Sequence, residues 1–468
     1  MEKFDILVLG SGPGGYVAAI RASQLGFRTA VVERAELGGV CLNWGCIPTK
    51  ALLSSAEAFH YAGNGAEFGF DVQGNVTPDL AGMVARSRGV SAQMTKGVEF
   101  LIKKNNICLL RGNGFINPDK TVTVTPADGG EAVTVEADSI IIATGSHPNS
   151  LPFAPIDGKR IISYRQALVL EKLPESLAVI GSGAIGSEFA FFYRSLGVEV
   201  TLIEYLDRIV PLEDDDVSAQ ISRSFRKMGM KVMVSAQVKK VDVSGELVRV
   251  EVETKKGREI IDVETVLSAV GVAPNTQDIG LEGLGVEMER GKVKVDVSGG
   301  TYRANVEGIY AIGDVIATPA LAHVASAEAL CCVEHIAGIE RPCVNYGNIP
   351  GCTYVVPQIA SVGITERAAK ECGLSYKVAK FPFTASGKAV ACGVRDGFVK
   401  LISDAGTGEL LGAHLCGANV TEMIGGIAAA RNVGVKAADL KHTVFPHPTM
   451  SEAIMEASEA LEGMAVHI

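Results

Sequence analysis

The chain has 468 residues, 47% of them hydrophobic and 21% charged, and carries a net charge of -10. That composition is too apolar for disorder, and the acidic balance excludes nucleic acid as the main partner, since phosphate binding needs a basic surface. The length predicts about three domains, and glycines placed at strand-to-helix turns favour an α/β architecture.

The first residues run straight into a strand, with no basic segment leading a long apolar one, so no signal peptide is read. No apolar run approaches the ~20 residues of a membrane span, and the cytoplasm is the expected location. Eight cysteines (Cys108, Cys331, Cys332, Cys343, Cys352, Cys372, Cys392 and Cys416) are scattered without metal-ligand spacing, so reduced thiols and no metal site are expected.

In chain order, Asp5–Leu9 reads as a strand. The turn Gly10-Ser11-Gly12-Pro13-Gly14-Gly15, an amphipathic run from Tyr16 to Leu25 and a strand from Thr29 to Val32 follow, closed by Glu33. Strand, GxGxxG, helix, strand and acid make a dinucleotide-binding unit. Gly10 permits the tight turn, Gly12 lets a pyrophosphate approach, Gly15 lets helix and strand pack, and Glu33 can accept bonds from a ribose.

Next comes Gly38-Gly39-Val40-Cys41-Leu42-Asn43-Trp44-Gly45-Cys46-Ile47-Pro48-Thr49-Lys50. Cys41 and Cys46 are read as a redox disulfide at the start of a helix. Five residues of regular helix rise ~7.5 Å, long for a disulfide, so the first turn is expected to be distorted, with Gly45 and Pro48 suited to it. A helix N-terminus also stabilises a thiolate, and Lys50 can share a face with the second sulfur.

Residues 51 to 105 read as helices, Ile107–Ile116 as a strand pair, Thr121–Thr125 with Ala132–Val135 as a small antiparallel insertion, and Ser139–Gly145 as a separate buried strand. A proline-bearing linker (Pro148, Pro152, Pro155, Pro174) leads into a repeat of the opening pattern. Ser176–Ile180 is its strand, Gly181-Ser182-Gly183-Ala184-Ile185-Gly186 its turn, and Glu204 its closing acid. Two dinucleotides on one chain are therefore expected. The acid at Glu204 favours NAD over NADP at the second site. A helix and strand over 214–234, a β-meander from Gln237 to Ile261 and a strand at Val266–Val270 complete that domain. Gly308–Asp314 then delivers a carboxylate, and a helix runs from Pro319 to Gly338. The last part alternates strands (Thr353–Val356, Ile359–Val362, Val399–Ser403, Leu410–Cys416) with helices, as an α+β domain suited to a subunit interface. Near its end His447-Pro448 invites a cis bond, and Glu452 is placed to orient His447 as a base.

Taken together, these motifs resemble the pyridine nucleotide–disulfide oxidoreductases over essentially the whole chain. The resemblance rests on Gly10–Gly15 with Glu33, Cys41–Lys50, Ala143-Thr144-Gly145, Gly181–Gly186 with Glu188 and Glu204, Gly313-Asp314 and His447–Glu452. Two stretches depart from the family pattern: Gly271-Val272-Ala273-Pro274-Asn275 lacks an arginine, and Val355-Val356-Pro357-Gln358 replaces Thr-His-Pro-Glu. The resemblance implies two Rossmann-like dinucleotide-binding domains plus a C-terminal α+β dimerisation domain. The expected boundaries are 1–148 for FAD binding, 149–273 for NAD binding, 274–345 completing the FAD domain, and 346–468 for the interface.

It also implies an NAD-dependent flavoprotein that oxidises protein-bound dihydrolipoamide to lipoamide. Cys41 would exchange with substrate, Cys46 would face the flavin, and His447 with Glu452 would serve the second subunit of a homodimer. Further cofactor contacts are expected at Lys50, Gly114, Thr144, Gly145, Asp314, Ala322, Glu188, Val238 and Gly271. The partners implied are lipoyl-bearing proteins of a 2-oxoacid dehydrogenase or glycine-cleavage complex, with no nucleic acid and no membrane. The alternatives are a related NAD(P)H-dependent reductase of another disulfide or of mercuric ion, and a docked flavoprotein acting as scaffold or redox sensor.

Overall fold

The computed structural model describes all 468 residues, in two compact units: 1–52 with 81–149 and 272–344, and 53–80 with 150–271 and 345–468. No helix is long and apolar enough to cross a membrane.

The first unit is built on a seven-stranded sheet. Its centre is Glu2–Leu9, paired in parallel with Thr29–Glu33 on one side and Val133–Ile142 on the other. Phe4 and Ile6–Leu9 are buried, as are Ala30–Val32 and Ile140–Ile142. These continuous apolar runs are what a sheet covered on both faces requires. Pro13–Gln24 packs on it together with Ala322–Ile336.

One expectation is corrected. Ala132–Val135 and Ser139–Ile142 are not separate strands but parts of one, Val133–Ile142. Its first residues pair antiparallel with Val122–Thr125 and its last pair in parallel with Ile309–Ala311, so two partners share one edge. The polar Asp138-Ser139 between them reads as a break, yet both residues stay extended within the ladder.

The second unit contains the repeat. A five-stranded parallel sheet orders Lys231–Met233, Glu199–Ile203, Ser176–Ile180, Thr265–Ser268 and Ile161–Ile162. The expected meander is a three-stranded antiparallel sheet of Gln237–Asp242, Val248–Thr254 and Gly257–Val263. Its third part is a five-stranded antiparallel sheet with Val420–Asn432 and Glu452–Ala460 packed on it. The sequence reading missed one of those strands, Tyr376–Pro382. It lies at the sheet edge, where Lys377, Lys380 and a terminal proline suit an unpaired side and weaken the apolar signal. The first strand there is Gly351–Thr353, a little earlier than read.

Candidate active site

The two glycine turns are near copies at atomic detail. In the first, Glu33 Oε2 accepts from Ser11 N at 2.9 Å and Ser11 Oγ at 2.6 Å, while Oε1 accepts from Ala35 N at 2.8 Å. In the second, Glu204 Oε2 accepts from Ser182 N at 2.9 Å and Ser182 Oγ at 2.6 Å, and Oε1 accepts from Leu206 N at 2.9 Å. Both carboxylates are buried. A carboxylate offers about four lone-pair positions, so each acid that closes its own loop keeps one for an outside donor such as a ribose hydroxyl.

The glycines divide the work. A Cβ on Gly15 would lie 1.9 Å from Gly10 O, and one on Gly186 2.0 Å from Gly181 O, so neither helix could sit so close with a side chain there. A Cβ on Gly12 or Gly183 would meet nothing within 4 Å, so these faces are open to a ligand. The second loop lines a cleft of about 520 Å³ together with Glu204, Tyr205, Val238 and Val270. Bare backbone N–H groups at a helix start beside an acid fit a dinucleotide at both loops.

From Glu33 the chain passes directly to the cysteines. Gly38 N–H donates to Ser11 O at 3.0 Å. Gly38 and Gly39 have φ of 90° and 60°, values that suit glycine, and a Cβ on Gly39 would come within 2.8 Å of Gly12 Cα. The expected distorted first turn is in fact a break between two helices. Cys41 lies in Gly39–Asn43, Trp44 and Gly45 interrupt, and Cys46 opens Cys46–Gly63. Pro48 falls in the first turn, where its missing N–H does no harm.

Both cysteines are thiols in the structure, Cys41 partly buried and Cys46 exposed. The hydrogen bond between them and burial push the Cys41 thiol far above its ordinary range, with the Lys50 ammonium opposing.

The other expected residues fall as follows. Asp314 accepts from Ser146 Oγ at 2.5 Å, and Ala322 opens its helix. Thr144 Oγ1 donates to Asn275 O at 2.6 Å, and Gly145 O accepts from Asn275 N at 2.8 Å, so both are braced by the departing 271–275 stretch. Gly114 has a packing reason of its own, because a Cβ there would strike Leu9 and Val32. Gly271 has a φ of 93° with open space beside it. Glu188 is buried and accepts from Tyr354 N at 2.9 Å.

His447 Nδ1 lies 2.8 Å from Glu452 Oε1, and Thr449 N donates to Oε2 at 2.7 Å. Burial works to raise the Glu452 carboxyl, but the Thr449 amide and His447 hold it below its ordinary value. A carboxylate there fixes Nδ1–H as the donor and leaves Nε2 as the basic atom. The His447–Pro448 bond is cis, as expected.

Residues 4–329 match the family model for pyridine nucleotide-disulphide oxidoreductases, and 349–458 match that family's dimerisation domain. The chain belongs to the pyridine nucleotide-disulphide oxidoreductase family. It is 48% identical to the dihydrolipoyl dehydrogenase of Rhizobium etli, covering 97% of each chain. It is 45% identical to that of Zymomonas mobilis over 100% of this chain and 99% of the relative. Among solved structures it is similar to LpdA from Mycobacterium tuberculosis. That match has a TM-score of 0.90 and 28% identity, covering 98% of this chain and 100% of the other.

Several supporting groups in this family member carry no motif that a sequence reading picks out. Asn43 Nδ2 donates to Leu37 O at 2.9 Å and Gly39 O at 3.1 Å, and Thr95 Oγ1 donates to Asn43 Oδ1 at 2.8 Å. Arg88 lies 4.4 Å from the centre of the Trp44 ring and donates to Asn43 O, while Ser87 Oγ donates to Pro48 O at 2.9 Å. The Leu80–Lys104 helix thus holds both halves of the cysteine stretch through Ser87, Arg88 and Thr95. Burial raises the Tyr16 hydroxyl above its ordinary range, and its interaction with the Cys41 sulfur adds to the rise. The only clue in the sequence is polar residues inside a long helix.

Proposed function

We propose that the chain is a dihydrolipoyl dehydrogenase, with FAD at the Gly10–Gly15 loop, NAD at the Gly181–Gly186 loop, and Cys41 and Cys46 as the redox pair. The observation that carries this reading is the hydrogen-bonded pair of sulfurs, set on a segment tied directly to the first dinucleotide loop. The relatives' shared name supports dihydrolipoamide as substrate and does not favour reduction of mercuric ion or of another disulfide.

His447 Nε2, with Nδ1–H held by Glu452, takes the proton of one substrate thiol. The resulting thiolate attacks Cys41 Sγ and breaks its bond to Cys46. The second substrate thiol, also deprotonated, displaces Cys41 and closes the lipoyl disulfide. Cys41 takes up the proton released by that second thiol, and Cys46 is left as the thiolate. FAD, when bound, supplies the conversion of this thiol electron pair into a hydride for NAD. Lys50, whose ammonium lowers the cost of charge at Cys41, eases the departure of that sulfur as it is displaced.

We assign residues 1–148 and 274–345 to FAD binding, 149–273 to NAD binding and 346–468 to dimerisation; the unit boundaries near 149, 271 and 344 support this division, whereas residues 53–80 group with the second unit and the last two parts fall in one unit. The dimerisation-domain match supports a homodimer, and in this reading His447 of one subunit serves the thiols of the other. Lipoyl-bearing proteins of a 2-oxoacid dehydrogenase or glycine-cleavage complex are the partners in this reading, and cytoplasmic residence is part of it.

Replacing either thiol tests the scheme. Cys41→Ser and Cys46→Ser are each expected to lower dihydrolipoamide oxidation at least about a thousandfold, since each removes a covalent step. A Cys46→Ser protein that oxidised dihydrolipoamide at the normal rate would overturn it.

A further inference from the structure

Apart from the thiols and the nucleotide loops, the second unit holds a second group of ionisable residues. Lys400, only 1% exposed, reaches Asp214 Oδ1 at 2.7 Å, Asp216 Oδ2 at 2.9 Å and Glu366 Oε2 at 2.6 Å. Burial works to lower the Lys400 ammonium, but the three carboxylates raise it well above its ordinary value. His414 is buried beside them, with Nδ1 lacking a partner and Nε2 at 2.9 Å from Ile364 O. Burial lowers its imidazole, and Asp214, Lys400 and Arg431 act on it.

Glu213 adjoins this group. Its Oε2 is shut away from solvent without a hydrogen-bond partner. It is faced by Asp214 in its own segment, by the Ser361 hydroxyl on Gln358–Gly363 and by the buried Cys416 thiol on Leu410–Gly417. None of these is a cation. Arg208, in the same loop, pairs through Nη1 with Asp207 and Asp215 at 3.0 and 3.6 Å; its Nε is buried without a partner, but the guanidinium does not act on Glu213. Burial pushes the Glu213 carboxyl up to about 7, with Ser361 opposing and Asp214 adding to the rise.

Glu213 is also linked to the second nucleotide loop. Its N–H donates to Val210 O at 2.9 Å, and Val210 N–H donates to Ser182 O at 3.1 Å. Ser182 is the residue that holds Glu204. Val210 is buried with φ at 42°, a conformation β-branched residues avoid unless their surroundings enforce it.

We propose that Glu213 is a proton-controlled latch on pyridine-nucleotide binding: neutral, it seats the 204–214 loop against the sheet; ionised, it loosens that loop and weakens binding. Ionisation places a further negative charge beside Asp214, whose ammonium partner Lys400 already serves three carboxylates, while the Lys380 ammonium is taken by Asp216 at 3.2 Å. The segment relieves this by moving outward, which releases Val210 and with it the Ser182 carbonyl. The sign follows: binding is tightest below neutrality and weakens as pH rises through about 7. The inference rests on the second loop binding NAD.

The test uses the FAD-loaded dimer, titrated with NAD and NADH from pH 6 to 8.5, beside pH-corrected hydrogen exchange of the 204–214 amides without nucleotide. The wild type is expected to lose about threefold to tenfold in affinity across the range and to gain exchange in that segment. Glu213→Gln should be flat in both. Ser361→Ala, which removes the hydroxyl favouring the charged form, should move both midpoints to higher pH. If Glu213→Gln does not fold, an unmoved midpoint in Ser361→Ala overturns the latch. So does any pH response shared by the wild type and Glu213→Gln. Should NAD fail to bind at any pH, the assignment of the second loop falls, while the exchange measurement still decides the latch.

Discussion

Replacing Glu204 with glutamine probes the second loop with a change of only a few atoms. The carboxylate satisfies three donors, two at Oε2 and one at Oε1, but an amide has one acceptor oxygen. Turned toward Ser182, it keeps two bonds and sets its NH2 against the Leu206 N–H. An orphaned buried donor costs about 1–3 kcal/mol, and a bond from ribose to a charged acceptor is worth about 1.5 kcal/mol or more. The free protein can loosen residues 204–206 and hydrate them, so most of this cost appears only when nucleotide closes the site. A net of about 2–4 kcal/mol raises Kd for NAD roughly 30- to 700-fold. Titration with NAD and the steady-state KM for NAD read this directly. Bound FAD and the KM for dihydrolipoamide should not move, because Glu33 closes the first loop independently. A KM for NAD within about threefold of wild type would refute the reasoning.

Lys400→Met strands Asp214, which is 1% exposed, while Asp216 and Glu366 can turn to water. The expected loss is about 3–5 kcal/mol at neutral pH. In the wild type, burial works to raise Asp214 but Lys400 and the Glu366 amide hold it below its ordinary value, so the stability it lends is present at neutral pH. Without Lys400 its pKa rises, so the loss should be full at pH 8 and shrink toward pH 5; equal shifts in thermal midpoint at both would count against the cluster. The glycines of the first loop separate fold from ligand. Gly15→Ala, with its Cβ 1.9 Å from Gly10 O, should lower stability and FAD content together. Gly12→Ala, whose Cβ meets no protein atom, should leave the thermal midpoint of the flavin-free protein unchanged while FAD binding falls about tenfold or more. Equal midpoints for the two flavin-free variants would contradict this.

Both nucleotide units were legible in the sequence because their logic is local. Three glycines and an acid at fixed spacing leave few ways to fold, and the structure repeats the serine–glutamate clamp atom for atom. Legibility ended where partners are far apart in sequence or where pattern and context disagree. Asp138-Ser139 resembles a break because polar residues usually punctuate strands, but here the ladder runs through them. Tyr376–Pro382 was missed because edge strands carry lysine and proline for reasons unrelated to the core. Lys400 reads as an ordinary charged residue in a strand, and only the fold reveals that it is buried against three acids.

Gly39 crosses the first loop so closely that a side chain on it would touch Gly12, and Gly38 is tied to Ser11. The second loop is followed instead by the exposed Tyr205 and Leu206 at the edge of an open cleft. The two clamps are alike, so the roof sets how long each nucleotide dwells. The first is flanked by the segment that bears Cys41, which in the function proposed above suits a coenzyme that stays bound. The second opens on a cleft, which in the same reading suits a co-substrate that leaves after each turnover.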